Sequence, residues 1–505
     1  MGWLSRVLGS SSTAPLGDIL DTPLCSFSKQ DAFTLRDACE GVQIFGAVGS
    51  GKTSGSGATL ARCYLAAGMG GLILTAKPGE YSEWQRYCAE TGRSRDLVRV
   101  NPTERWRFNF LDYELRRSGA GAGLTENIVQ LFMHAQEAGG RAKEGGGERF
   151  WDDTLKELLR NLVELLALAT GSVSLVDMAE LLDDAPTSPA QLADASWQRA
   201  STCAQALRLA EEAVRRNPAK RGDFEQTARY WTKRFPQLAE KTRSIVVTSF
   251  SSLADGLLRD PMRTLFCTET NLTPEASFRG AVIVLDLAVK EYGDVGAYAQ
   301  CLFKLCWQKA VERRDVRAYP VPVFLWIDES QNFVTSYEPQ FLSTSRSSRT
   351  CTVFLTQNLP NYYAAFKDKR GEHQANSVLG NLSTKIWHAN GCTVTNEAAA
   401  KTIGQTWQLR SGTSAGQSSG SSASDNFSHG QGGDSFGDSA STNEGSSLNS
   451  SMNEQLAFQI LPIAFTRLRQ GGAPNGYAVD GIVFKAGRVW KATGTNYLTA
   501  TFKQR

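Results

Sequence analysis

A glycine-rich segment near the start of the chain has the residue types and spacing of a phosphate-binding loop. Gly46-Ala47-Val48-Gly49-Ser50-Gly51-Lys52-Thr53 fits the pattern G-x-x-x-x-G-K-[ST]. Glycines allow backbone N–H groups to surround phosphate oxygens, the lysine adds positive charge at the β- and γ-phosphates, and the threonine hydroxyl binds Mg²⁺. We expect Lys52 to be catalytic and Thr53 to be a metal ligand. The residues expected to contact ATP are Gly46, Gly49, Ser50, Gly51, Lys52, Thr53 and Ser54.

An acidic pair follows a second apolar run. Val323–Ile327 leads directly into Asp328 and Glu329. A strand that ends in two carboxylates is common by itself, but beside a phosphate-binding loop it predicts a hydrolytic site. We expect Asp328 to bind the Mg²⁺ ion and Glu329 to polarise the attacking water. The pair favours ATP hydrolysis over nucleotide binding alone.

Two further polar positions could complete this chemistry. Gln357 follows the apolar run 352–356 and could sense the γ-phosphate or align the water, unless it is an ordinary strand-end glutamine. Arg346 and Arg349 lie between the acidic pair and Gln357. A ring-shaped ATPase needs an arginine that contacts the γ-phosphate of the neighbouring subunit, and we assign that role first to Arg346 and second to Arg349. Solvated surface arginines are the alternative.

The elements that must position these residues are short apolar runs without alternation. Such runs indicate strands buried on both faces of a parallel sheet, and the phosphate-binding loop joins one of them to a predicted helix. The sequence therefore predicts an α/β fold with a parallel central sheet. The predicted strands are 42–46, 71–75, 97–100, 281–286, 323–327, 352–356 and 384–388.

The character of the chain changes along its length and predicts six segments. Leucines at helical spacing in 151–169 indicate that an all-helical domain interrupts the α/β domain. Serine and glycine dominate 411–452, which contains no lysine or arginine, so we expect a flexible loop there. After it, 476–479 and 487–490 suggest short antiparallel strands. The segments are a lead-in at 1–40, the α/β domain at 41–123 and 242–410, the helical domain at 124–241, the loop at 411–452 and a closing segment at 453–505.

Overall composition excludes several classes of protein. The 505 residues carry 54 Lys/Arg against 51 Asp/Glu, so the chain is not a polycation, and 41% hydrophobic residues argue against disorder. Ten cysteines without a CxxC pair indicate reduced thiols in the cytosol, and four histidines argue against a His-rich metal site. No run of 18 apolar residues is present, so we expect a cytoplasmic protein.

A local basic region is the candidate for substrate contact. Residues 195–243 contain eleven Lys/Arg against five Asp/Glu, with aromatic Tyr230, Trp231 and Phe235 among them. This pattern fits contact with nucleic-acid phosphates or with an acidic protein surface. It fits the solvated side of helices equally well.

The order of these motifs resembles the type IV secretion coupling proteins, the VirD4/TraG/TraD family in the HerA–FtsK branch of P-loop ATPases. The Walker motifs are shared widely, so the resemblance depends on their combination with the arginine and the Thr-Gln strand. The segments concerned are GAVGSGKTSG (46–55), LILTAKPGEY (72–81), FNFLD (108–112), KTRSIVVTSF (241–250), FLWIDESQNF (324–333), SRSSRTCTVFLTQNLPNYY (345–363) and GNLSTKIW (380–387).

The resemblance implies a RecA-like motor interrupted by a helical domain that recognises substrate. It implies homo-hexamers with ATP and Mg²⁺ between subunits and an arginine supplied in trans. The implied partners are single-stranded DNA, a relaxase or an effector protein, and the membrane channel of a secretion system. By position, Lys52, Thr53, Asp328, Glu329, Arg346 and Gln357 match the family's catalytic set.

Two departures from the family pattern leave other functions open. The family's usual pair of N-terminal transmembrane helices is not found, so attachment to the inner membrane would need a partner. The family signature Asp-x-Lys-Gly-Glu is replaced by Thr75-Ala76-Lys77-Pro78-Gly79-Glu80, which could alter coupling of ATP to movement through Lys77 and Glu80. The alternatives are a HerA/FtsK-like DNA pump without a secretion channel and a nucleotide-gated substrate adaptor.

Overall fold

A computed structural model describes residues 19–137, 148–366, 371–428 and 435–504. The chain divides into two compact units. The larger comprises Met1–Asn396 with Phe465–Arg505, and the smaller comprises Glu397–Ala464. Residues 1–18, 138–147, 367–370, 429–434 and 505 lie outside the described part of the chain. The segments predicted from the sequence are therefore described without these residues.

A nine-stranded sheet forms the centre of the larger unit, as far as it is described. Its order is β13-β12-β9-β3-β8-β7-β4-β6-β5. The seven strands from β9 to β5 are parallel, and β12 and β13 add an antiparallel edge. The predicted α/β class with a parallel sheet is confirmed. The strands are β3 (Val42–Phe45), β4 (Gly70–Leu74), β5 (Leu97–Val100), β6 (Val282–Leu285), β7 (Val323–Ile327), β8 (Thr350–Thr356), β9 (Thr384–Trp387), β12 (Ala478–Lys485) and β13 (Tyr497–Lys503).

Strand order determines which loops meet at the catalytic edge. β3, β8, β7 and β4 are consecutive neighbours, with Phe45 opposite Thr356, Ile327 opposite Phe354, and Leu74 opposite Ile327. Parallel strands end at the same edge of a sheet. The loops after these four strands are therefore adjacent, although they are separated by up to three hundred residues in sequence.

Helices cover the sheet and also form most of the chain between residues 125 and 254. A short hairpin of β1 (Pro23–Ser26) and β2 (Ala32–Thr34) precedes β3. The α-helices are Leu35–Cys39, Ala58–Ala66, Glu80–Glu90, Phe110–Arg116, Thr125–Glu137, Glu148–Thr170, Leu175–Asp183, Pro189–Leu192, Ala195–Ala200, Thr202–Arg216, Arg221–Arg229, Phe235–Gln237, Glu240–Ala254, Met262–Phe266, Val289–Glu312, Glu338–Thr344, Leu359–Ala365, Gly371–Gly380 and Thr393–Ile403.

The helical region between 125 and 254 has its own apolar interior. The leucines that predicted a helix in 151–169 are buried on one side of Glu148–Thr170. Trp231 is also buried, and its Nε1 donates to the carbonyl of Asn161 at 3.2 Å. Within the described residues no single helix is long and apolar enough to span a membrane. Two helices joined by a 105° bend, Asp153–Thr170 and Leu175–Asp183, together reach the length and apolar composition of such a helix.

The smaller unit differs from the flexible loop expected at 411–452. Its strands β10 (Gln405–Ser428) and β11 (Ser435–Phe458) pair antiparallel, from Gln405 opposite Phe458 to Ser428 opposite Ser435. Main-chain hydrogen bonds between two strands do not depend on side-chain type, so a Ser/Gly composition permits this ladder. The composition of 411–452 indicated only that the segment has few apolar residues to bury. It did not indicate whether the main chain would pair.

The strand expected at 487–490 is wrong. Gly487 has φ +72° and turns the chain, and Trp490 is buried in the connection between β12 and β13. The Trp490 indole packs against Phe27, with ring centroids 6.1 Å apart, and its Nε1 donates to the Asn496 carbonyl. The apolar residues at 487–490 are therefore buried in a turn. The second antiparallel strand lies further along the chain, at Tyr497–Lys503.

A buried ion pair fixes the segment that follows the acidic pair. Lys304 lies in Val289–Glu312, and its Nζ donates to the Phe333 carbonyl at 2.5 Å and pairs with Glu338. Glu338 also accepts from Thr335 Oγ1 at 2.8 Å. Both charged side chains are fully buried. This cluster attaches residues 333–338 to the helix behind the sheet.

Replacing Lys304 tests this attachment. Lys304→Met leaves the Glu338 carboxylate buried without its cation, so we expect the free energy of unfolding to fall by about 3–5 kcal/mol. Thermal unfolding followed by circular dichroism measures the change. The double variant Lys304→Met/Glu338→Leu removes both charges and is expected to regain most of the loss. An unchanged melting temperature in the single variant would contradict this role.

Candidate nucleotide-binding site

The phosphate-binding loop lies between β3 and the helix Ala58–Ala66, where the sequence placed it. Gly49 and Gly51 have φ +74° and +83°, a backbone region that glycine adopts without strain. The first turn after Lys52, Thr53–Gly57, is π-helical. The Ser50 Oγ is buried and has no hydrogen-bond partner among the described residues. A buried hydroxyl beside this row of glycines fits a phosphate oxygen.

The two predicted metal ligands are in contact. Thr53 Oγ1 donates to Asp328 Oδ2 at 2.9 Å. A hydroxyl and a carboxylate held together at the start of a helix are oxygen ligands of the kind that Mg²⁺ prefers. The backbone N–H of Glu329 donates to the other carboxylate oxygen, Asp328 Oδ1, at 2.9 Å, which fixes its orientation. The site therefore has the chemistry to hold Mg²⁺ with a nucleotide.

Glu329 is the point at which the four loops converge. Its Oε1 lies 3.7 Å from Lys52 Nζ and accepts from Lys77 Nζ at 2.5 Å and from Gln357 Nε2 at 3.3 Å. Its Oε2 accepts from Gln331 Nε2 at 3.1 Å. Sequence reasoning had placed Lys52, Glu329 and Gln357 in one site, and the structure brings them together. It had not connected Lys77 to Glu329.

The surroundings of Glu329 keep it ionised. Burial opposes the charge, but the hydrogen bonds from Lys77 and Gln331 and the charge of Lys52 outweigh it and lower the pKa of Glu329 to about 2. Glu80, the first residue of the helix Glu80–Glu90 after β4, behaves oppositely. Burial and the nearby Asp328 raise its pKa to about 8, although Lys77 acts against the shift. The two carboxyl groups of this site are thus shifted in opposite directions, Glu329 toward the charged form and Glu80 toward the protonated form.

The two candidate arginines lie away from this cluster, near the amino end of β8. The Arg346 side chain is 53% exposed, and its Nη1 lies 3.5 Å from Glu40 Oε1, just before β3. Arg349 is buried with φ +50°, and its Nη1 donates to the Pro320 carbonyl at 2.8 Å. Arg349 therefore has a buried main-chain partner, whereas the Arg346 side chain is largely exposed.

Ser54, predicted to contact the nucleotide, faces the C-terminal strand. Its Oγ accepts a hydrogen bond from Gln504 Nε2 at 2.6 Å. A Cβ at Gly51 would lie 2.6 Å from Val479 Cγ2, so β12 also packs directly against the loop. The closing segment of the chain thus forms one wall of the phosphate-binding loop.

His388 is a site residue that sequence reasoning missed. It follows β9 and is fully buried, with Nδ1 2.8 Å from the Asp480 carbonyl and Nε2 2.7 Å from Ser56 Oγ. Because a carbonyl only accepts, Nδ1 must be the protonated nitrogen and Nε2 accepts from Ser56. Burial, with a smaller contribution from Lys52, lowers the pKa of His388 to about 4. A neutral imidazole therefore links the first turn after the loop to β12.

The three aromatic residues named in the basic helical region lie in its interior. Tyr230, Trp231 and Phe235 are buried against one another, so they are not available to stack on bases. Several exposed cations are paired with carboxylates on their own helix, such as Arg215 with Glu211. The aromatic residues in the sequence pattern belong to the helical interior.

Fold and site together have the features of P-loop nucleotide-binding proteins: a phosphate-binding loop and an acidic pair at the carboxyl edge of a mostly parallel sheet covered by helices. Comparisons with known proteins are consistent with the predicted resemblance. Residues 322–450 match the family model described as the TraM recognition site of TraD and TraG. No curated protein matches the sequence significantly.

Solved structures of the bacterial conjugative coupling protein TrwB share the fold. The trigonal form with sulphate, TrwBdeltaN70, superposes with a TM-score of 0.60 at 12% identity, over 97% of this chain and 92% of that one. TrwB in complex with ADP and Mg²⁺ gives 0.56 at 13% identity, over 97% and 92%. TrwB with a non-hydrolysable ATP analogue gives 0.53 at 12% identity, over 100% and 93%. The resemblance to the coupling proteins is confirmed at the level of the fold.

The pH dependence of stability tests the His388 bridge. The folded protein holds His388 neutral down to a pKa of about 4, whereas the unfolded chain protonates it near 6.5. The unfolded state binds more protons in this interval, so stability is full above pH 6.5 and falls as the pH drops toward 4. We expect a loss of roughly 3 kcal/mol.

Thermal unfolding of wild type and His388→Asn from pH 7 to pH 4 measures this contribution. Other titrating groups act on both proteins, so the difference between the two curves isolates His388. The variant is expected to be less stable at pH 7 and to approach wild type near pH 4. Parallel curves across this range would contradict the assignment.

Proposed function

We propose that the chain is an ATP-hydrolysing motor that delivers DNA with its attached relaxase, or protein substrates, to a type IV secretion or conjugation channel. The observation that supports hydrolysis most directly is the convergence of Lys52, Lys77 and Gln357 on Glu329, beside the Thr53–Asp328 pair. The TrwB fold and the match over 322–450 support the coupling role.

The chain's own residues have distinct tasks in this reaction. The loop N–H groups, the Ser50 hydroxyl and Lys52 would bind the phosphates of ATP, and Thr53 and Asp328 would bind Mg²⁺. When bound, Mg²⁺ neutralises charge on the β- and γ-phosphates and orients them. Glu329 is ionised and therefore accepts a hydrogen bond from water, while Gln357 can hold the same water on its other side. Burial keeps competing solvent away from the carboxylate.

Assembly and partners follow from the exposed features. Arg346 is exposed near the amino end of β8, so we infer that it acts on the γ-phosphate of a neighbouring subunit in a homo-hexamer. The family model is described by recognition of TraM, which supports a partner protein of the DNA-processing complex. We place the protein in the cytoplasm, at the inner membrane through channel components. The exposed cations of 195–243 are the proposed contact for single-stranded DNA.

Two variants test hydrolysis. Lys52→Ala removes the phosphate cation, and we expect ATP binding and turnover to be lost. Glu329→Gln keeps the shape of the side chain but removes its charge, so we expect binding to remain and turnover to fall by a factor of about 10² to 10⁴. Steady-state phosphate release and equilibrium binding of a fluorescent nucleotide measure the two quantities.

The same assay with single-stranded DNA separates the functional alternatives. Stimulation by DNA that requires no channel component favours a HerA/FtsK-like pump. Tight nucleotide binding with negligible turnover under all conditions would contradict the motor and favour a nucleotide-gated adaptor. Normal turnover in Glu329→Gln would remove the assignment of the water-positioning residue.

Mixed assemblies test Arg346. We expect Arg346→Ala subunits to bind ATP normally and to lower the turnover of wild-type neighbours when the two are mixed, because the missing guanidinium serves the adjacent site. Turnover is measured against the mixing ratio. Arg317→Ala, which changes another exposed arginine, is the control. A strictly proportional fall in activity would argue against action in trans.

A further inference from the structure

Two lysines share one carboxylate oxygen in the candidate site. Lys52 Nζ and Lys77 Nζ lie 3.7 and 2.5 Å from Glu329 Oε1. The loop motif explains Lys52, because that lysine binds the β- and γ-phosphates. It does not explain Lys77, which comes from the loop after β4. Lys77 therefore approaches the same oxygen as the lysine that the motif assigns to the phosphates.

The backbone that presents Lys77 is held by the helix Val289–Glu312 and by Glu80. Gln300 Oε1 accepts from the Thr75 N–H at 2.8 Å, and Gln300 Nε2 donates to the Thr75 carbonyl at 3.1 Å. The N–H groups of Ala76 and Lys77 donate to the Glu80 carboxylate at 3.3 and 3.2 Å. The backbone at Lys77 is therefore fixed, so a change of partner requires movement of the side chain alone.

The remainder of the side chain can change partners. Lys77 is 36% exposed, whereas Glu329 is 6% exposed. An ammonium group on a flexible four-carbon stem can turn from one oxygen to another without movement of the backbone. The exposed part of the stem gives the ammonium group room to move away from Glu329 while it stays in the site.

We propose that Lys77 is a second cation for the terminal phosphate of ATP, and that Glu329 is its partner while that phosphate is absent. This inference rests on the proposed function and adds a residue to it. A γ-phosphate carries more charge than one carboxylate and lies beside Lys52, so it attracts Lys77 away from Glu329 Oε1. Glu329 is then released toward water at the moment when ATP, and not ADP, occupies the site. Lys77 thereby distinguishes the two nucleotides.

Equilibrium binding tests the proposal without reference to turnover. Affinities for ADP and for a non-hydrolysable ATP analogue are measured by displacement of a fluorescent nucleotide, in wild type, Lys77→Met and the exposed-lysine control Lys401→Met. We expect Lys77→Met to weaken the ATP analogue by roughly tenfold or more, as for a lost charge-assisted hydrogen bond. ADP is expected to change less than about threefold. Equal changes for both nucleotides, or none, would overturn the proposal.

A second background separates contact with phosphate from contact with Glu329. In Glu329→Gln, an effect of Lys77→Met on the ATP analogue must come from the nucleotide, because the carboxylate is gone. We expect the selective loss to persist there, and its disappearance would show that Lys77 only holds Glu329. If the wild type binds the analogue selectively but does not hydrolyse ATP, the proposed motor function is refuted and the proposed role of Lys77 in binding the terminal phosphate stands. A wild type that hydrolyses ATP, with an unselective Lys77→Met, would refute Lys77 alone.

Discussion

An ionised carboxylate inside a protein requires cations and hydrogen-bond donors around it, and Glu329 obtains them through the order of the strands. Lys52 comes from the loop after β3, Gln357 from the end of β8 and Lys77 from the loop after β4, while Glu329 itself ends β7. These four strands are consecutive in the sheet, so the register of their backbones sets every distance in the cluster. Contacts elsewhere in the larger unit hold the segments that follow these strands. The buried Lys304–Glu338 pair fixes the segment beyond Glu329, and Gln300 fixes the loop that presents Lys77.

Local sequence patterns were sufficient for residues whose role is defined within a few positions of the chain. Lys52, Thr53 and Asp328 could be assigned because each belongs to a short motif beside a buried strand. The seven parallel strands were visible as short, mostly apolar runs. The fold class followed from the same runs. Gln357 could be proposed because the end of a parallel strand lies at the catalytic edge whichever strand it is.

Residues defined by contacts across the sheet could not be assigned in this way. The partnership of Lys77 with Glu329 depends on β4 lying beside β7, and no local pattern states which strands are neighbours. His388 is recognisable only once β9 and β12 are known to pair. Arg349 resembled Arg346 in sequence, yet its left-handed backbone and its bond to Pro320 give it a structural partner. Trp490 is apolar and buried but lies in a turn, whereas the Ser/Gly-rich β10 and β11 pair as strands. The apolar or polar composition of a segment therefore does not determine whether it forms a strand.

The position of β3 has a consequence for the folding of the chain. This early strand pairs only with β8 and β9, three hundred residues later, and its loop is then covered by Val479 and Gln504 from the closing segment. Such long-range pairings raise the contact order, and ordering of the intervening chain must precede them. During synthesis the loop leaves the ribosome long before its neighbours exist. The surroundings of the loop are therefore complete only after residues 350–504 have been synthesised and have paired with this strand.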